Sequence, residues 1–258
     1  MRIRLSRSII PNLFTVLNIF FGFLCIINAM EGRFLLAGIY IFCSAICDTL
    51  DGFMARLTRS ASEFGVELDS LADVVSFGAA PSVLLHALFL HAYGPLGMLV
   101  ASSQLVFGAL RLARFNVQLV GFSKDYFVGV PIPLSALTLV SYIIWFGPEA
   151  IIADTMLQHV FIGVVISCGL LMVSTIRYPV LPKPSLRYFR EKPFSVVVVL
   201  GGLAVLIVTK GRGLLFIFGG VVLSGVLLAL WRLLRRPRVR RLEPHDEADS
   251  SDPFPIDS

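Results

Sequence analysis

Charge is scarce in this sequence. Only 15% of its 258 residues are Asp, Glu, Lys or Arg, against roughly 25% in an ordinary soluble domain. With 56% hydrophobic residues and a mean hydropathy of +0.83, water is excluded as the main solvent. Cysteine is scarce too. Cys25, Cys43, Cys47 and Cys168 all fall within apolar stretches, with no C-x-x-C pair and no histidine cluster beside them, which argues for buried packing and against a disulfide framework or a zinc site. The four histidines, His86, His91, His159 and His245, show no ligand-like spacing. No internal repeat is visible, and the polar breaks are too short for a second, soluble domain.

What remains is a series of apolar runs, each about 17–25 residues long, the length a helix needs to cross roughly 30 Å of hydrocarbon. The pattern predicts an all-α polytopic membrane protein with about eight spans: 12–30, 34–56, 68–90, 95–115, 131–147, 157–176, 194–209 and 213–234. Spans five and seven are short. The break at Lys210, Gly211, Arg212 and Gly213 separates the last two, as a Gly-rich polar turn would. The basic start followed by an apolar run resembles a signal peptide, but the run from Ile9 to Met30 is longer than the 7–15 residues typical of one.

Of the 22 Lys and Arg residues, all but Arg33, Lys210 and Arg212 fall in segments that share one side when the N-terminus is inside. By the positive-inside rule, both termini are expected in the cytoplasm, with the chain in the inner (plasma) membrane. The pI near 9.2 then points to anionic lipid head groups and away from nucleic acid. The basic run from Arg235 to Arg241 is followed by acidic residues up to Ser258, and the tail 237–258 has no means of building a core and is expected to be disordered.

The segment CDTLDGFMARLTRSASEFGVELDSLADVVSFG, Cys47 to Gly78, sets four aspartates at or near membrane depth. One unpaired carboxylate there costs at least ~2.5–3.5 kcal/mol on insertion scales, so each is a functional candidate. Asp48 and Asp51 are i,i+3 at the end of span two. Asp69 and Asp73 are i,i+4 at the start of span three. Each pair shares one helix face, and a short loop forces the helices antiparallel, so the pairs confront each other. Four carboxylates so close repel unless cations offset them. Two divalent ions balance the charge, and all-oxygen ligands suit Mg²⁺ or Mn²⁺.

Two other readings of these acids stand beside that one. Pairing with Arg56 and Arg59 would merely fasten the helices, but two arginines leave four buried acids unbalanced. An acid-lined path for a divalent-metal transporter or channel is also compatible with the aspartates alone. Against it, Gly52 lets a ligand approach the backbone, Gly65 gives similar access in the loop, and Arg56 offers a planar fork to a phosphate.

These residues fit D-x-x-D-G-x-x-A-R-x8-G-x-x-x-D-x-x-x-D as Asp48, Asp51, Gly52, Ala55, Arg56, Gly65, Asp69 and Asp73. In this they resemble the CDP-alcohol phosphatidyltransferase family. The resemblance implies a six-helix core, spans one to six within residues 1–180, usually dimeric. Two added helices (181–236) and the tail would follow. It implies two metals, Mg²⁺ or Mn²⁺, on Asp48, Asp51, Asp69 and Asp73, with Asp73 as catalytic base. The CDP part of CDP-diacylglycerol would lie against Gly52, Arg56, Gly65 and the loop around Ser62.

The flanking segments PNLFTVLNIFFGF (Pro11–Phe23), RLARFNV (Arg111–Val117) and FVGVPIP (Phe127–Pro133) look like the membrane-embedded bacterial phosphatidylserine synthases of that family. L-serine is therefore the expected acceptor. Glycerol 3-phosphate and inositol phosphate remain open, since other members share the aspartates. Asn12 and Thr15 either start the first helix or touch the nucleotide. Asn18 lies deeper and polar, so it is a candidate for CDP-diacylglycerol or an interhelical hydrogen bond. Arg111 and Arg114 are either membrane anchors or ligands of the acceptor or a phosphate.

Overall fold

The structure, a computed structural model, describes residues 9–58, 62–118, 126–179 and 213–234. Outside them lie Arg2, Arg4, Arg7, Arg59, Lys124, the basic residues Lys183 to Lys192, the expected span 194–209, Lys210 to Arg212, the basic run from Arg235 and the tail 237–258.

The first two spans appear as α1 (Ile9–Met30) and α2 (Phe34–Thr58). A tight turn joins them. Gly32 takes φ +76°, a left-handed conformation that favours glycine, and the Arg33 N–H returns to the Asn28 carbonyl at 2.8 Å. The third span starts earlier than hydropathy alone suggests, as α3 (Glu63–Asp73). Ser62 is its N-cap: the Gly65 N–H donates to the Ser62 hydroxyl at 3.1 Å, satisfying one of the orphan donors of the first turn.

This span is not one regular helix. A π-helical turn, Val74–Ala79, follows α3 before α4 (Ala80–Leu88) and a 3₁₀ turn (Leu90–Tyr93). The fourth span is α5 (Gly94–Gln118). The fifth is α6 (Ile132–Phe146). At about 22 Å by helical rise it falls short of the hydrocarbon thickness. Beyond the break at Gly147 (φ +84°), the short α7 (Pro148–Ala153) follows. Then come α8 (Thr155–Val173), capped by Asp154, and α9 (Leu214–Leu234). Among the described residues, five helices are long and apolar enough to cross a membrane: Pro11–Met30, Phe34–Thr58, Glu63–Leu88, Leu90–Val117 and Thr155–Val173, with Ile132–Phe146 and Leu214–Leu227 shorter.

The third span is the central one. In its most apolar window 61% of residues are buried, against 33% or less in the other four long spans, whose outer faces are left for lipid. Phe77, Leu84, Leu85 and Leu88 meet Ile132, Leu139 and Ile143 from α6 and Phe161 from α8 in one core. Small residues admit close approach where helices cross. A Cβ at Gly22 of α1 would lie 2.8 Å from the Ser76 Cα, and one at Gly38 of α2 would lie 2.9 Å from Val140. Gly22→Val is therefore expected to push α1 off the π-turn and destabilise the protein by about 1–3 kcal/mol, read as a lower unfolding midpoint.

One feature has no counterpart in the hydropathy pattern. β1 (Tyr126–Val128) pairs antiparallel with β2 (Arg177–Pro179), with Phe127 opposite Tyr178. The Gly129 N–H donates to the Ile176 carbonyl at 2.8 Å and the Val130 N–H to that of Leu171 at 3.1 Å. The segment leading into α6 is thus clipped to the end of α8.

Candidate functional site

The site gathers where the end of α2 meets α3. Helical periodicity sets Asp48 and Asp51 on one face of α2 and Asp69 and Asp73 on one face of α3. One carboxylate oxygen from each of Asp48, Asp51 and Asp69 lies within 4.8 Å of the other two. The Asp73 side chain meets that of Asp48. Asp51 and Asp73 are 6% and 8% exposed, so water does little to separate the charges. Among the described residues no ion pair joins any of the four carboxylates to Arg56 or Arg111. The fastening role for Arg56 therefore finds no support, and Arg59 lies outside the described residues.

Several polar atoms around these acids are buried without a hydrogen-bond partner: Asp69 Oδ1, Asp73 Oδ1, Arg111 Nε and both amide atoms of Asn18. Each such group costs about 1–3 kcal/mol if it stays unsatisfied, and bilayer offers no substitute. An all-oxygen carboxylate set with open ligand atoms fits hard divalent cations of the Mg²⁺ or Mn²⁺ kind. Asp48, Asp51, Asp69 and Asp73 are the residues that would hold them.

Helix α1 backs the cluster. The buried Thr15 hydroxyl lies 3.0 Å from Asp51 Oδ2 and 3.2 Å from the Pro11 carbonyl of its own helix. Thr15 therefore neither starts the helix, which begins at Ile9, nor stands free for a nucleotide. It orients Asp51. One turn deeper, the Asn18 carbonyl accepts from Ser44 of α2 at 3.1 Å and from Ser76 of the π-turn at 2.8 Å. Thr15, Asn18 and Gly22, at i, i+3 and i+7, thus form one polar and small stripe facing the other two helices, a signal the sequence carries in its spacing.

The remaining candidates divide. A Cβ at Gly52 would meet only Arg56 Nη1, at 3.6 Å, so the backbone beside Asp51 is open on the side where the guanidinium lies. Gly65 lies elsewhere than expected. It sits in the first turn of α3, not in a loop, and a Cβ there would come within 3.2 Å of Ser62 Oγ and 3.4 Å of Asn12 Oδ1. Its lack of a side chain brings the starts of α1 and α3 together.

Arg111 and Arg114, alike in sequence, have different surroundings. Arg111 is 7% exposed, close enough to Asp73 for the charges to act on each other, and stacks 6.0 Å from the Phe115 ring centroid. Arg114 reaches the end of α8, donating to the carbonyls of Val173 at 2.9 Å, Ser174 at 3.2 Å and Met172 at 3.4 Å. These are carbonyls at the end of α8 without helical donors, so Arg114 fastens α5 to the end of α8. Asn116, which no motif marks, ties α5 to α3 by donating to Ser70 Oγ at 3.0 Å.

A family model described as CDP-alcohol phosphatidyltransferase matches residues 8–176. The chain belongs to that family. The matched range runs from the start of α1 to just beyond α8 and includes the whole carboxylate cluster; α9 lies past it. Among similar proteins, the Helicobacter pylori (strain J99) CDP-diacylglycerol–serine O-phosphatidyltransferase is 41% identical over 169 residues, 66% of this chain and 71% of the relative. The protein of the same name from Methanocaldococcus jannaschii is 38% identical over 186 residues, 72% of this chain and 81% of the relative. The archaetidylserine synthase of Methanothermobacter thermautotrophicus is 37% identical over 173 residues, 66% and 69% of the two chains.

Proposed function

We propose that this family member transfers the phosphatidyl group of CDP-diacylglycerol to L-serine, giving phosphatidylserine and CMP. The observation that carries the reading is the convergence of Asp48, Asp51 and Asp69 to within 4.8 Å, with Asp73 against them and buried oxygens still open. The serine assignment draws on relatives whose names, for two different lipids, both specify serine.

The serine hydroxyl oxygen attacks the phosphorus that carries diacylglycerol. The bond from that phosphorus to the CMP oxygen breaks, and CMP leaves with the electron pair. A hydroxyl is a weak nucleophile at neutral pH, and Asp73 takes its proton. Divalent cations bound by the four carboxylates, Mg²⁺ or Mn²⁺, two per site, would polarise the pyrophosphate oxygens and offset charge on the departing CMP. Thr15 fixes Asp51 for that task. Arg56 and the open backbone at Gly52 take the nucleotide's phosphates, and Ser62 and Gly65 at the start of α3 are assigned to the same nucleotide by the family resemblance. Asn18, one helical turn from Thr15, offers the CDP-diacylglycerol a fully buried amide without a partner. Arg111 keeps a positive charge beside Asp73, where it stabilises the carboxylate that must accept the proton.

The reading sets the acids at the cytoplasmic face of the inner membrane, so acyl chains stay in the bilayer while serine arrives from water. The resemblance adds a homodimer. Incubating purified protein with CDP-diacylglycerol, Mg²⁺ or Mn²⁺, and each of L-serine, glycerol 3-phosphate and inositol phosphate is expected to yield phosphatidylserine alone. Another lipid product would reassign the acceptor. Metal flux into reconstituted vesicles without any lipid product would replace the enzyme with a transporter.

A further inference from the structure

The π-turn Val74–Ala79 begins at the residue after Asp73, and its cause lies in Pro81. A proline has no N–H, so the carbonyl four residues back, that of Phe77, has no donor from Pro81. The backbone responds with the wider turn, in which the Ala80 N–H bonds to Val75, five residues back. In a bilayer span the freed carbonyl must still find a partner. It finds Gln104 of α5, whose Nε2 donates to the Phe77 carbonyl at 2.9 Å. Gln104 is fully buried, and its Oε1 accepts from the Ser135 hydroxyl of α6 at 2.8 Å, which fixes the amide's orientation. Ser82 Oγ donates to the next carbonyl, that of Gly78, at 2.8 Å.

An extra residue in one helical turn rotates everything before it by about 100° relative to everything after. The widened turn therefore decouples two requirements of one span. Helix α4 buries Leu84, Leu85 and Leu88 in the core, while α3 aims Asp69 and Asp73 at α2. We propose that Gln104 is a positioning residue for this carboxylate pair: by supplying the donor that Pro81 withholds, it holds the π-turn that aims Asp69 and Asp73 at Asp48 and Asp51. It touches none of the acids and acts only through the Phe77 carbonyl. The proposal rests on the metal-site reading given above but not on the identity of the acceptor.

The test compares full-length native protein with Gln104→Met, which keeps the length and removes the amide, and Ser135→Ala, which keeps the donor but frees its orientation. Mn²⁺ binding is followed by electron paramagnetic resonance beside CMP release and thermal unfolding. The folded Gln104→Met protein is expected to bind Mn²⁺ about tenfold more weakly, the lower end of what losing a group that orients metal ligands costs. Its kcat falls with it, while KM for serine stays within about twofold, as expected when ligand aim and not acceptor binding is disturbed. A merely structural role would lower the unfolding midpoint and leave Mn²⁺ affinity of the folded protein unchanged, which overturns the proposal. Should Gln104→Met not fold, Ser135→Ala decides: weaker Mn²⁺ binding supports the proposal and native affinity overturns it. If native protein binds Mn²⁺ yet forms no lipid product, the proposed reaction fails while the Mn²⁺ comparison still answers for Gln104.

Discussion

Asp73→Asn protein is expected to hold CDP-diacylglycerol as the native protein does and to release CMP about 10²–10⁴-fold more slowly, the range a positioned general base contributes. The substitution keeps shape and one oxygen ligand but removes the atom that accepts a proton. Position is the reason to propose Asp73, and not one of its neighbours, as the base. Asp48, Asp51 and Asp69 turn oxygens toward one another, whereas Asp73 also has the Arg111 charge beside it and carries a buried oxygen with no partner. The measurement is single-turnover CMP release at saturating serine, set against binding of labelled CDP-diacylglycerol to the same preparation. Turnover near native values in a folded, substrate-binding variant would remove the base assignment and leave the proton to another acceptor.

The acids themselves were legible because membrane physics makes them so: four carboxylates in apolar helices at i,i+3 and i,i+4 have few explanations, and the faces follow from 3.6-residue periodicity. The spans were legible for the same reason, and Phe34–Thr58 and Ile132–Phe146 begin and end within about two residues of the hydropathy pattern, the scatter expected at helix ends. What escaped depends on neighbours that sequence does not name. Arg111 and Arg114 are equivalent three residues apart on α5. Their neighbours separate them: Asp73 beside Arg111, and α8's unsatisfied end carbonyls beside Arg114. The β1–β2 pair joins two three-residue strands some fifty positions apart, too short to leave a period-2 signature.

The start of α3 escapes the hydropathy pattern for a different cause. Glu63 to Glu67 is too polar for a hydropathy window, yet Ser62 and the Gly65 N–H form an N-cap that needs no hydrophobicity. The π-turn did leave a trace, since a proline inside an apolar span forces a backbone accommodation. Its partner Gln104 was the second trace: a lone amide in an apolar helix must be satisfied somewhere. Neither residue alone says where. The site's support, more than the site, is what the three-dimensional arrangement adds.

Asp69→Asn separates the metal role from the proton role. Asp69 is the contribution of α3 to the trio of oxygens within 4.8 Å, and its Oδ1 is buried without a partner, so Asn there leaves a single neutral amide oxygen as a weaker ligand and removes a charge that draws the cation in. The Mn²⁺ concentration giving half-maximal rate is expected to rise at least about tenfold, since even groups one shell further out cost that much. Excess Mn²⁺ should then recover much of the rate. Chelation with EDTA should abolish activity in native protein and variant alike, and re-addition should restore each along its own curve. The contrast with Asp73→Asn is diagnostic, because a lost proton acceptor is not replaced by more metal. If the two variants shared one unchanged Mn²⁺ curve and differed only in rate, α3 would contribute no ligand. The confrontation of α2 and α3 across divalent cations would then have to give way to a site built on α2 alone.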